Sequence, residues 1–187
     1  ACACPTAVDI ASDDPTWLDD LEKRFGAPRF RVYPTDDVVG VQIGGVAKNV
    51  IAVAAGVCDG MTLGANARAA LITRGLSEMS RLGVELGARV ETFMGLSGVG
   101  DLMLTCSDDQ SRNRRYGLAL GQGKSSEEAQ AEINQVIESI HNTKQLHDKA
   151  EALKLELPII SQVYRVVYGH LPVREALESL LHRGFSE

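Results

Sequence analysis

From Val38 to Cys58 the chain carries a single charge, Lys48, in a run otherwise built of valine, isoleucine, alanine and glycine with Gln42 and Asn49. A segment this long and this apolar either crosses a bilayer or forms the buried axis of a helical domain. A mid-span lysine costs about 2.5–3.5 kcal/mol on insertion into a bilayer. The run is also rich in Gly and Ala, so the core reading is preferred: one long central helix that other helices surround. A lysine sheathed in apolar side chains loses hydration, which disfavours its ammonium form and suits proton exchange with a substrate. Snorkelling from a helix edge, or pairing with a structural carboxylate, explains Lys48 equally well from this segment alone.

The 187 residues are 44% apolar, enough for a proper core. A formal charge of −6 argues against general attraction to nucleic acid or to anionic membranes. No secretory pattern opens the sequence, so the cytoplasm is expected. The cysteines at 2, 4, 58 and 106 are too scattered for a disulfide framework, and Cys2-Ala3-Cys4 lacks a second ligand pair for zinc. The histidines at 141, 147, 170 and 182 show no metal-ligand spacing, and no metal is expected.

Residues 5–12 alternate like a strand. Asp14 and Pro15 then open a helix with Trp17, Leu18, Leu21 and Phe25 on one face, closed by Gly26. Arg29–Tyr33 reads as a second strand ended by Pro34. Beyond Asp36 the pattern is helical, with helices near 37–59, 66–87, 98–106, 112–121, 126–133, 138–154, 158–169 and 173–183. The expected fold is therefore mainly α, a multi-helix bundle-like domain over 36–187 around a buried central helix. The β-α-β of 1–35 is too small to cover both faces of its sheet and reads as the tail of a larger one.

Two further segments carry chemistry. Gly98-Val99-Gly100-Asp101 places an aspartate beside glycines that admit close approach, and Ser111 caps a helix that begins Arg112-Asn113-Arg114-Arg115. Free N–H groups, a positive dipole end and guanidinium forks gather there, a place suited to an anion; a solvated basic turn is the competing reading. Gly98-Val99-Gly100 is not a dinucleotide fingerprint, since position 103 is methionine and no strand precedes it. Glu138 opens another helix, and His141, Lys144 and His147 on that helix read as solvated.

Together the segments resemble the bacterial-type NAD(P)-dependent glycerol-3-phosphate dehydrogenases. The resemblance rests on Arg29-Phe30-Arg31-Val32-Tyr33, Gly44-Gly45-Val46-Ala47-Lys48-Asn49-Val50-Ile51-Ala52, Ala69-Ala70-Leu71-Ile72-Thr73-Arg74-Gly75-Leu76, Glu91-Thr92-Phe93-Met94-Gly95-Leu96-Ser97-Gly98-Val99-Gly100-Asp101-Leu102 and Ser111-Arg112-Asn113-Arg114-Arg115-Tyr116-Gly117. It implies interconversion of sn-glycerol 3-phosphate and dihydroxyacetone phosphate, with NAD or NADP carrying the hydride. Lys48 matches the family's general base. Asp101, Ser111, Arg112 and Asn113 match its substrate-binding stretch, Arg112, Val136 and Glu138 match cofactor-contacting positions, and Asn49 is a candidate orienter of substrate or of Lys48.

The resemblance makes 1–35 the last part of a dinucleotide-binding domain and 36–187 the substrate domain. The Gly-rich turn that cradles the pyrophosphate has no match here, so the chain alone is expected to show little or no turnover. Expected partners are the two phosphorylated substrates, with neither nucleic acid nor membrane; a homodimer is left open. A non-catalytic module that binds a phosphorylated metabolite or mediates dimerisation is the alternative from another class. An oxidoreductase acting on a different hydroxy acid is a third reading.

Overall fold

The structure, a computed structural model, describes residues 4–182. Cys2, and with it the complete Cys2-Ala3-Cys4 run, lies outside the described residues, as do the end of the last expected helix and the His182 side chain. Two strands, β1 (Thr6–Ala11) and β2 (Phe30–Thr35), pair in parallel from Thr6↔Phe30 to Ala11↔Thr35, joined by helix α1 (Pro15–Phe25). The expected stop at Pro34 does not occur. The carbonyls of Arg29 and Thr35 accept from the amides of Thr6 in β1 and of Ser12 just past its end, so the alternation of the strand turns the missing donor of Pro34 away from its neighbour. Asp14 caps α1 by accepting from the Thr16 amide. The apolar face of α1 is only partly covered: Leu18 and Leu21 are half-buried, while Trp17 is 57% and Phe25 54% exposed.

Helices follow: α2 (Val38–Gly60), α3 (Ala65–Glu85), α4 (Val90–Met94), a π-helical turn (Leu96–Gly100), α5 (Asp101–Ser107), α6 (Arg112–Gly121), α7 (Ser126–Ile133), α8 (Glu138–Leu153), α9 (Pro158–Val167) and α10 (Val173–His182). Most expected boundaries agree within two residues. Helix α4 was not anticipated, because a single turn is too short to display a period. The helix expected over 98–106 divides into the π-turn and α5. Gly98 permits this tight passage, since a Cβ there would lie 2.0 Å from the Phe93 carbonyl oxygen.

Helix α2 is the axis. Its mean hydropathy of 1.6 would suit a membrane span, yet here Val50, Ile51, Ala52 and Ala55 are fully buried beneath α3, α5, α6, α8 and α9. Its start is fixed by Asp37, whose carboxylate accepts from the Gly40 amide, the Arg89 amide and the Thr92 hydroxyl. Burial pushes the Asp37 carboxyl up, but these three hydrogen bonds and the Arg89 charge hold it below its ordinary value. One aspartate thus ties α2, α4 and the preceding loop together. Helix α6 approaches α2 backbone to backbone: a Cβ on Gly56 would lie 2.0 Å from the Arg114 carbonyl oxygen, and one on Gly117 1.9 Å from that of Val53.

Glu78 on α3 performs a similar task at the far end. It is 5% exposed and accepts from the Ile159 and Ile160 amides at 2.7 and 3.2 Å, capping α9, whose own first residue is Pro158. Burial pushes its carboxyl from 4.5 up to about 7, against those bonds and the nearby Arg74 and Arg81. The folded state therefore holds this proton more tightly than the unfolded chain. The resulting stability is present in full below pH 4.5 and is lost as pH rises to about 7. Urea titrations at pH 5 and pH 8 should show Glu78→Gln lacking a decline of roughly 3 kcal/mol that the parent shows. Parallel pH profiles for the two proteins would remove Glu78 as the source.

Candidate active site

Lys48 leaves α2 on the side that faces the first turn of α5, where its Nζ pairs with the Asp101 carboxylate. The expected apolar sheath is corrected here. The Lys48 side chain is 23% exposed and Asp101 32%, so the lysine sits at the rim of the core with a charged partner and water within reach. The partner comes from 53 residues away, which is why the local run of valines misrepresents its environment. Thr105 donates to the Asp101 carbonyl at 2.6 Å, one turn along α5.

Asn49, the next residue, turns inward and is 6% exposed. The Ser139 amide donates to Asn113 Oδ1 at 3.0 Å, Asn113 Nδ2 donates to Asn49 Oδ1 at 2.9 Å, and Asn49 Nδ2 donates to Glu138 Oε2 and the Gly45 carbonyl, each at 3.2 Å. A backbone amide can only donate, so it sets the orientation of both carboxamides and the chain of donors ends on the Glu138 carboxylate. The network locks the starts of α6 and α8 against α2 beside Lys48. Asn113 is buried within it, bracing Asn49 to α8.

The basic cluster is divided. Ser111 Oγ accepts from the Arg114 amide and caps α6 as expected. Arg114 is buried, bridging Asp59 and Asp109, and the Nε of Arg115 is also buried, without a hydrogen-bond partner. Only Arg112 of the three turns towards the Glu138 side, with Nη2 3.5 Å from Glu138 Oε1. This is a long pair with side chains 38% and 52% exposed, and such pairs contribute little. Arg112 is therefore available to a ligand. Val136, 75% exposed, lies two residues before Glu138, the first residue of α8.

Of the residues singled out in the sequence, Lys48, Asn49, Asp101, Arg112, Asn113 and Glu138 are brought into two linked groups by these contacts. His141 contacts Gln145 and Lys144 pairs with Asp148, both on the surface. His147 departs from the solvated reading: its ring stacks on Tyr164 at 3.9 Å and its Nδ1 is buried. Burial pushes the thiols of Cys58 and Cys106 up to about 11 and about 12, which leaves them inert. No group of side chains suited to a metal ion occurs among the described residues. Sequence reading missed Asp9, whose carboxylate accepts from the Ser97 amide at 2.8 Å and from its hydroxyl, 88 residues away.

Residues 37–178 match the family described as NAD-dependent glycerol-3-phosphate dehydrogenase C-terminus. A glycerol-3-phosphate dehydrogenase [NAD(P)+] of Haemophilus ducreyi is 53% identical over 184 residues, covering 98% of this chain and 55% of the relative. The counterpart from Photobacterium profundum is 53% identical, with 98% and 54% covered. The crystal structure of glycerol-3-phosphate dehydrogenase from Coxiella burnetii superposes with a TM-score of 0.94 at 50% identity, covering 97% of this chain and 56% of that one. The chain thus spans about half the length of the curated relatives it matches.

Proposed function

The chain belongs to the NAD-dependent glycerol-3-phosphate dehydrogenase family as its C-terminal part, and from that premise we propose that it is the substrate domain of a cytoplasmic enzyme interconverting sn-glycerol 3-phosphate and dihydroxyacetone phosphate. The observation that carries the proposal is the Lys48–Asp101 pair, held at a solvent-accessible rim one residue from the braced Asn49. Residues 1–35 are assigned to the end of a dinucleotide-binding domain. The partly covered face of α1 supports this, because a further layer would bury Trp17 and Phe25.

In oxidation the C2 hydroxyl loses its proton to the Lys48 amine; in reduction the Lys48 ammonium returns it to the C2 carbonyl oxygen. Asp101 accepts a hydrogen bond from Lys48 and keeps Nζ aimed at that position. Arg112, with Ser111 and Asn113 behind it at the start of α6, binds the phosphate through charge-assisted hydrogen bonds. The side chains of Arg112 and Glu138, both exposed, suit the phosphates and ribose hydroxyls of a dinucleotide, with Val136 supplying apolar contact. The nicotinamide, when bound, supplies or accepts the hydride at C2.

The assignment of the phosphate site is tested by Arg112→Ala in the chain joined to a dinucleotide-binding half from a similar enzyme. Affinity for glycerol 3-phosphate should fall by about 10- to 100-fold, as expected for a lost charge-assisted contact. Weak binding of glycerol, which lacks the phosphate, should be unaffected. Equal affinities of parent and variant for glycerol 3-phosphate would refute the role of Arg112.

A further inference from the structure

We propose that Asp9 is a positioning residue that sets the register of Asp101 against Lys48, acting through Ser97; this rests on the function proposed above. Leu96–Gly100 and Asp101–Ser107 form one continuous helical run whose N-cap residue, Gly95, offers no side chain to cap it. Asp9 supplies the cap from β1, accepting from both the amide and the hydroxyl of Ser97.

The opposite side of Ser97 rests on α2. A Cβ on Gly44 would lie 2.1 Å from the Ser97 carbonyl oxygen, so the two backbones are in direct contact there. Four residues along each element, the same two helices meet again as Lys48 and Asp101. Gly44 with Ser97 and Lys48 with Asp101 are thus successive rungs of one contact. The π-helical turn between the rungs, with the Gly100 amide donating to the Gly95 carbonyl at 3.2 Å, carries the extra residue that brings Asp101 round to the lysine.

Asp9 clamps Ser97 from one side and Gly44 bounds it on the other. If the clamp is released, the π-turn keeps its packing against Gly44 and Phe93 but loses its side-chain cap, and Asp101 can shift relative to Lys48. Because Asp9 belongs to β1, it also fixes the strand pair to the element that carries the substrate-facing carboxylate. A displacement of the strands would be transmitted to Asp101 through Ser97.

The test uses Asp9→Ala, Asp9→Asn and Ser97→Ala in two settings. In the chain joined to a dinucleotide-binding half, Asp9→Ala should lower kcat for dihydroxyacetone phosphate by about 10- to 100-fold, the scale of an ångström-sized misplacement. KM for NADH should be unchanged. Asp9→Asn keeps an acceptor oxygen and should retain most of kcat, while Ser97→Ala, which loses one of the two bonds, should fall between. In the present chain, the Lys48 ammonium resonance and the hydrogen exchange of the Gly98 and Gly100 amides should change in Asp9→Ala and not in Asp9→Asn.

An unmoved Lys48 resonance in folded Asp9→Ala, unaltered kcat, or equal losses in Asp9→Ala and Asp9→Asn would each overturn the proposal. Should Asp9→Ala fail to fold, Ser97→Ala decides by the same readouts. Absence of turnover in the unsubstituted joined protein would count against the proposed function, while the resonance and exchange data would still decide the role of Asp9.

Discussion

Lys48→Ala, in the chain joined to a dinucleotide-binding half, is expected to lower turnover of dihydroxyacetone phosphate by about 10²–10⁴-fold, the usual worth of a general acid or base. The fold should survive. The lysine side chain is 23% exposed and forms one partly solvated ion pair, and a pair of that kind contributes on the order of 1 kcal/mol or less. Cofactor binding should persist, because the residues assigned to it lie on α6, just before α8 and at the first residue of α8. Initial rates alongside urea titrations separate the two effects. Turnover near that of the parent would remove Lys48 from the mechanism, whatever its pairing with Asp101.

The second large effect is structural. Gly117→Ala should destabilise the protein by about 3 kcal/mol or more, since the added carbon meets the Val53 carbonyl oxygen at 1.9 Å and both contacting groups are backbone. No rotamer change relieves such a clash; α6 must move away from α2. That movement would also pull Asn113 from Asn49 and open the network beside Lys48. Gly45→Ala is the matched control, because a Cβ at Gly45 meets nothing within 4 Å. Alanine there should gain up to about 1 kcal/mol from helix propensity. Thermal unfolding of both variants checks the contrast, and a Gly117→Ala protein as stable as the parent would contradict the packing account.

The parts of this structure that were legible in the sequence are those encoded locally. The apolar run from Val38 announced a buried axial helix, Pro15 and Ser111 marked helix starts, and Lys48 stood out because nothing nearby explained it. What stayed hidden was set by partners distant in the chain. The apolar neighbours of Lys48 in sequence are not its neighbours in space on the side that matters, where Asp101 and water stand. Arg114 and Arg115 looked equivalent to Arg112, but Arg114 is buried against Asp59 and Asp109 and the Nε of Arg115 is buried as well. Asp9 and Glu78 are ordinary acids in sequence, and each becomes a cap only when another helix is delivered to it; Asp37 caps its own helix, and its bonds to Arg89 and Thr92 appear only in the fold. The division of 98–106 into a π-turn and α5 depends on the contacts of Gly98 and Ser97, which no periodicity reports.

In the function we propose, this domain supplies the proton-transferring and phosphate-binding half of a glycerol-3-phosphate dehydrogenase. The most direct test of that claim is NADH consumption with dihydroxyacetone phosphate, measured on this chain alone and on the chain joined to a dinucleotide-binding half from a similar enzyme. Turnover in the joined protein, with none in the chain alone, is the predicted result. A joined protein that is folded and binds NADH yet leaves dihydroxyacetone phosphate unreduced would contradict the claim and favour a module that only binds or assembles.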